Sequence, residues 1–190
     1  MTQDKSFLDM ETYSHTGALL LDLQDKLVAN VDNSQDLIDS NCIWLNVCDL
    51  LGINCVITEQ VPDKLGQSCD PVRQLAQRVP VIAKDTFSAF GSEEFSEIVR
   101  KTNISHLVIT GVETAICVYL TALEALSKKL KVTVLSDCVS GRRRNDSEVA
   151  LADLSRRGVT VLPLETFVYS LLESAAHDQF KAVSALIKNR

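Results

Sequence analysis

The stretch His106-Leu107-Val108-Ile109-Thr110-Gly111-Val112-Glu113-Thr114-Ala115-Ile116-Cys117-Val118 decides how the rest of the chain is read. His106 to Thr110 is an apolar run with β-branched residues, the pattern of a short strand covered on both faces. Val118 to Leu126 reads as a buried helix. Gly111 permits a tight turn between them. Strand, turn and helix together put one thiol, Cys117, near a helix N-terminus. The exposed N–H groups and the helix dipole there favour a thiolate over a thiol.

On both sides of this unit the same alternation repeats. Further apolar strands are predicted over Gly17–Leu23, Ile53–Thr58, Pro80–Ala83, Lys131–Leu135 and Gly158–Leu162. Between the first two, Ile38, Cys42, Leu45 and Cys48 recur at helical spacing, with Ser34 as N-cap and Gly52 past the end. Residues 59–71 read as a loop with Pro62, Gly66 and Pro71, followed by a short helix near Arg73 to Gln77. Ser92, with Glu93 and Glu94 in the first turn, opens another helix. Later helices are predicted over about 146–157, 165–173 and 175–188. Short apolar strands alternating with helices indicate βαβ units. The fold class is therefore α/β: a three-layer, doubly wound sheet of six mostly parallel strands, with helices on both faces and right-handed crossovers. The expected strand order is 3-2-1-4-5-6.

That order makes a functional prediction. Ligands of open α/β sheets bind at the carboxyl ends of the strands, where the order reverses. The crevice would lie between strands one and four. Asp22 leaves strand one, Cys117 follows strand four, and Lys84 leaves strand three on the same edge. A carboxylate can take a thiol proton, a lysine can hold that carboxylate and favour the thiolate, and turn N–H groups can form an oxyanion hole.

Four motifs in order along the chain carry a family resemblance. They are Leu20-Leu21-Asp22-Leu23-Gln24, Lys84-Asp85-Thr86-Phe87-Ser88-Ala89-Phe90, Gly111-Val112-Glu113-Thr114-Ala115-Ile116-Cys117-Val118 and Ser136-Asp137-Cys138-Val139-Ser140. With them the chain resembles the isochorismatase-like cysteine hydrolase superfamily. The segment Thr58-Glu59-Gln60-Val61-Pro62-Asp63-Lys64-Leu65-Gly66 is similar to its isochorismatase-domain-containing branch. The resemblance implies a catalytic Asp22–Lys84–Cys117 triad and attack of Cys117 on an amide-type carbon to give a thioester. It also implies a non-proline cis peptide at Val112–Glu113 and oxyanion donors at the N–H groups of Glu113 and Cys117. Nicotinamidases of this superfamily carry a metal-binding Asp-x-His pattern after the second strand. Here that place reads Glu59-Gln60-Val61, and no histidine lies between residues 16 and 105, so neither metal nor cofactor is expected. The family practice also implies self-association as a dimer or tetramer.

The remaining candidates have a bland and a sharp reading side by side. Taken alone, Cys117 would be a packed core residue, since free cysteines are among the most buried types. Gln24, Phe87, Phe90 and Tyr119 are candidates for the pocket wall, with core packing an equal claim on the aromatic three. Glu113 stands where the family often has a small residue, and its side chain either points away or narrows the pocket. The last helix carries Ala176, Phe180, Val183 and Ile187 on one face, for packing on its own domain or on a second subunit.

Composition bounds the partners. The 190 residues suffice for one domain, 1–190, with a polar lead-in over 1–16. A net charge of -6 repels nucleic acid and anionic membranes overall. Arg142-Arg143-Arg144 is the one basic cluster before the C-terminus and reads first as a solvated loop or helix start. No apolar run is long enough to span a membrane. The N-terminus has neither a signal-peptide nor a transit-peptide pattern. Six dispersed cysteines without a Cys-x-x-Cys pair point to a reduced, cytoplasmic protein. The sequence thus favours a hydrolase of a small metabolite. A scaffold that has lost turnover, or an RNA-processing role through Arg142–Arg144, is the alternative.

Overall fold

The apolar runs become a six-stranded parallel sheet in a computed structural model that describes residues 15–188. The polar lead-in expected over 1–16 lies, apart from its last two residues, outside the described residues. The strands are β1 (Thr16–Leu21), β2 (Asn54–Gln60), β3 (Val81–Lys84), β4 (His106–Val112), β5 (Lys131–Ser140) and β6 (Thr160–Leu162). Their spatial order is β3-β2-β1-β4-β5-β6, so the direction of winding reverses between β1 and β4 as expected.

The central strands β1 and β4 are buried along their whole length, which is why they read as continuous apolar runs. Each face of the sheet has its own core. On one face lie α2 (Ser34–Leu51), α8 (Leu164–Leu172) and α9 (Phe180–Lys188), packed around Trp44, Phe167, Val183 and Ile187. On the other lie α5 (Glu93–Lys101), α6 (Tyr119–Ser127) and α7 (Arg144–Arg156), packed around Phe95, Val118, Ala122 and Leu154. Of the predicted face of the last helix, Val183 and Ile187 lie in this core and Phe180 packs against it, whereas Ala176 is exposed in the turn that precedes the helix.

The structure differs from the sequence reading at several boundaries, each for a local reason. The segment after β1 forms a short α1 (Asp25–Val28), and Pro62–Leu65 forms α3 inside the predicted loop. The helix expected near Arg73 is α4 (Asp70–Leu75), because Pro71 is tolerated in a first helical turn. Asn33 rather than Ser34 caps α2, in a left-handed conformation without a side-chain cap. The final helix starts at Phe180, since Glu173 ends α8 at φ 57° and turns the chain. Strand β5 does not stop at Leu135. Ile109 pairs with Val134 but Gly111 pairs with Val139, so β5 carries extra residues in an irregular step and then resumes to Ser140. Asp137, in that step, accepts the N–H of Leu164 (2.8 Å) and anchors the start of α8.

Candidate active site

The carboxyl end of β1 meets that of β4 at unusually short range. Gly111 has φ 100°, and a Cβ there would lie 2.0 Å from the Leu21 carbonyl oxygen, so only glycine fits. This contact sets Asp22, the next residue of the chain, beside the turn that follows β4. Asp22 itself is left-handed (φ 55°) and its N–H donates to the Thr58 carbonyl (3.1 Å), so the chain leaves β1 while still tied to β2.

After β4 comes the cis peptide Val112–Glu113, then a single wide turn, Thr114–Val118. In that turn the N–H of Val118 donates to the Glu113 carbonyl (3.2 Å), an i to i−5 bond. Cys117 sits in this turn, immediately before α6. The structure brings the three sequence-predicted residues together. Lys84 Nζ donates to Asp22 Oδ2 (2.7 Å) and lies 3.8 Å from Cys117 Sγ. Asp22, Lys84 and Cys117 are 0, 5 and 7% exposed. A buried carboxylate and a buried ammonium require partners on all sides. They have them: Thr58 Oγ1 donates to Asp22 Oδ1 (2.7 Å), and Lys84 Nζ also reaches Gln60 Oε1 (2.5 Å) and the Thr86 carbonyl (3.2 Å).

The state of the thiol departs from the sequence reading. Burial pushes the Cys117 thiol up from 9.0 to about 12, and the Asp22 carboxylate adds to the rise. Lys84 and the Glu113 backbone pull it down by less. At neutral pH the resting residue is therefore a thiol: desolvation and the nearby carboxylate outweigh the ammonium and the Glu113 backbone.

The candidate wall residues separate. Gln24 is a brace: its Nε2 donates to the carbonyls of Gln60 (3.0 Å) and Gly66 (2.6 Å), and its Oε1 accepts the Gln60 N–H (2.8 Å). The Phe90 ring is buried edge-on against Phe95 (4.9 Å between centroids), so it belongs to the core. Tyr119 donates its hydroxyl to Asp153 of α7 (2.7 Å) and joins the packing between α6 and α7. Phe87 is 56% exposed, next to the Thr86 carbonyl that receives Lys84. Glu113 turns its carboxylate to Arg142, accepting from Nε (2.9 Å) and from the Arg142 N–H (3.3 Å). Glu59 accepts both the N–H (2.6 Å) and the hydroxyl (2.9 Å) of Ser68.

A family model, an isochorismatase domain, matches residues 16–166 of the chain. The chain belongs to the isochorismatase family. Isochorismatase domain-containing protein 2A of Mus musculus is 30% identical to it over 169 residues, covering 89% of this chain and 81% of that protein. Among solved structures, a Caenorhabditis elegans protein described as MAR1 ribonuclease superposes with a TM-score of 0.88 at 24% identity, covering 94% of this chain and 92% of that one. The Escherichia coli YcaC gene product, described as an octameric hydrolase of unknown specificity, superposes with a TM-score of 0.88 at 20% identity, covering 94% and 89%. These two structures share the isochorismatase-family hydrolase fold with this chain.

Two site residues escaped the sequence reading in their present roles, Thr58 and Gln60. Their one signal was position: they stand at i and i+2 at the polar end of β2, with Glu59 between them, and therefore face the same way. The alternation says nothing about what they face, which the register between strands decides.

Proposed function

We propose that the chain is a metal-independent cysteine hydrolase of a small amide-like metabolite, working through a thioester. The observation that carries this reading is the buried contact of Lys84 with both Asp22 (2.7 Å) and Cys117 (3.8 Å). In the reaction the Cys117 thiol gives its proton to Asp22 as Sγ bonds to the carbonyl carbon. The N–H groups of Glu113 and Cys117 take the charge that develops on oxygen. The C–N bond then breaks and the departing nitrogen receives the proton from Asp22. Water attacks the thioester, Asp22 takes a water proton, and the S–C bond breaks to release a carboxylic acid. Asp22 returns the proton to sulfur. Proton transfer coupled to attack suits a thiol that burial holds protonated at rest.

The metal-independent part rests on donor chemistry: Glu59 is engaged by Ser68 and Gln60 by Lys84. An RNA role rests on Arg142–Arg144 alone, three exposed arginines beside Glu113, Asp146 and Glu148 in a chain of net charge -6. Self-association is part of the proposal, by likeness to the octameric Escherichia coli protein. No helix among the described residues is long and apolar enough to cross a membrane, and a cytoplasmic location is proposed on the cysteine usage.

The test uses the full chain and a panel of small primary amides. The parent protein, quenched in acid, is expected to carry an acyl group on the Cys117 peptide by mass spectrometry, and Cys117→Ala to lose hydrolysis. Hydrolysis that survives in Cys117→Ala would refute the mechanism. Neither adduct nor hydrolysis in the parent would favour a scaffold.

A further inference from the structure

The Lys84 ammonium has three hydrogens and four acceptors around it. Asp22 Oδ2 and Gln60 Oε1 take the two shortest bonds, at 2.7 and 2.5 Å. Thr86 O and Cys117 Sγ share what remains, at 3.2 and 3.8 Å. Two fixed hydrogens determine where the third points. Gln60 is itself fixed at every polar group. Its Nε2 donates to the Asp85 carbonyl (2.9 Å), and its backbone N–H and C=O are both held by the Gln24 side chain (2.8 and 3.0 Å). It pairs in register with Lys84 across the β2–β3 ladder, and it is 8% exposed. The acceptor it offers is neutral. A carboxylate there would form a second buried ion pair and draw the ammonium's charge away from sulfur.

We propose that Gln60, clamped by Gln24, is a positioning residue that turns the third hydrogen of Lys84 toward Cys117, where the sulfur shares it with the Thr86 carbonyl, and leaves the lysine's charge for the thiolate that forms there. The inference rests on the reading of Asp22, Lys84 and Cys117 as the reacting groups. It gives a reason for the residue that closes β2 to be a buried, neutral amide. It also gives Gln24 a role at a distance: Gln24 does not touch Lys84, but it holds the residue that does.

The experiment follows the thiol itself, so it needs no substrate and stands apart from the test of hydrolysis. The rate of Cys117 alkylation by iodoacetamide is measured from pH 7 to 10 in the full-length parent, Gln60→Met, Gln60→Glu and Gln24→Met, with peptide mapping to isolate Cys117. Below its pKa the thiol reacts in proportion to its thiolate fraction, so a rise of one unit slows alkylation about tenfold at fixed pH. Gln60→Glu keeps shape and acceptor but adds charge, and is expected to slow Cys117 about tenfold or more at pH 9. Gln60→Met loses the acceptor and is expected to slow it severalfold, with Gln24→Met smaller in the same direction. In the double variant the two losses are expected not to add, since both act on one lysine. Rates in Gln60→Glu and Gln60→Met that match the parent, even with a lowered Tm, would reduce Gln60 to a structural brace and overturn the inference.

Discussion

The two flanks of the β1–β4 crevice solve the problem of placing charge in opposite ways. On the β1–β2–β3 side, Asp22, Thr58, Gln60 and Lys84 form a buried network in which the ion pair has no exposed side-chain surface. On the β4–β5 side the charges sit near water: Glu113 is 16% and Arg142 62% exposed in their side chains, and Arg143 and Arg144 are more open still. The buried side fixes geometry because each group there has a single low-energy arrangement, and a lost partner leaves a charge unsolvated. The exposed side contributes little energy, because solvent can replace either partner. The geometry of the proposed reacting groups is held by the first flank, and the second trims the loop that carries the proposed oxyanion donor.

The sharpest way to break this contrast is Lys84→Met. It strands Asp22 in the interior and should abolish hydrolysis while costing about 3–5 kcal/mol of stability, measured by denaturant unfolding. A loss below about 1 kcal/mol, the range of a surface pair, would mean that water enters the network freely. Next comes Asp22→Asn, where two readouts should move in opposite directions. The proton acceptor is gone, so turnover should fall by about a thousandfold or more. The carboxylate that raised the thiol is also gone, so the pKa of Cys117 should drop below about 12 and its alkylation at pH 9 should speed up. Slower alkylation would show that Asp22 orders the thiol rather than repelling its charged form. The smallest effect is expected from Arg142→Ala, which frees Glu113 at a cost of about 0.2–1 kcal/mol in thermal unfolding. A cost near that of Lys84→Met would make the exposed flank the structural equal of the buried one.

The residues at strand ends were legible in the sequence because topology alone collects them. Lys84 ends a strand, and Asp22 and Cys117 follow strands, all at the carboxyl edge of the sheet. Thr58 and Gln60 were not, because their roles depend on ladder register: Leu21 opposite Thr58, and Gln60 opposite Lys84. Register follows from packing and bulges spread over several strands, and no local pattern records it. The partner of Glu113 was hidden for the same reason. The irregular step in β5 sets Val112 opposite Ser140 and so brings Arg142 within reach of the next residue. The protonation of Cys117 was misread because a helix terminus is visible in sequence, whereas the depth of burial belongs to the finished fold.

Of the three proposed reacting groups, Lys84 alone stands on the outermost strand. Among the described residues β3 has a ladder on one side, and Val81 is 49% exposed. Strands of this kind open by local fluctuation far more often than interior ones such as β4. Each such opening would carry the lysine out of reach of sulfur while the two cores remain folded. The proposed activity would then be lost on heating through the release of four residues, Val81 to Lys84, before the two cores melt, with the buried Lys84–Asp22 pair as the main barrier to that release.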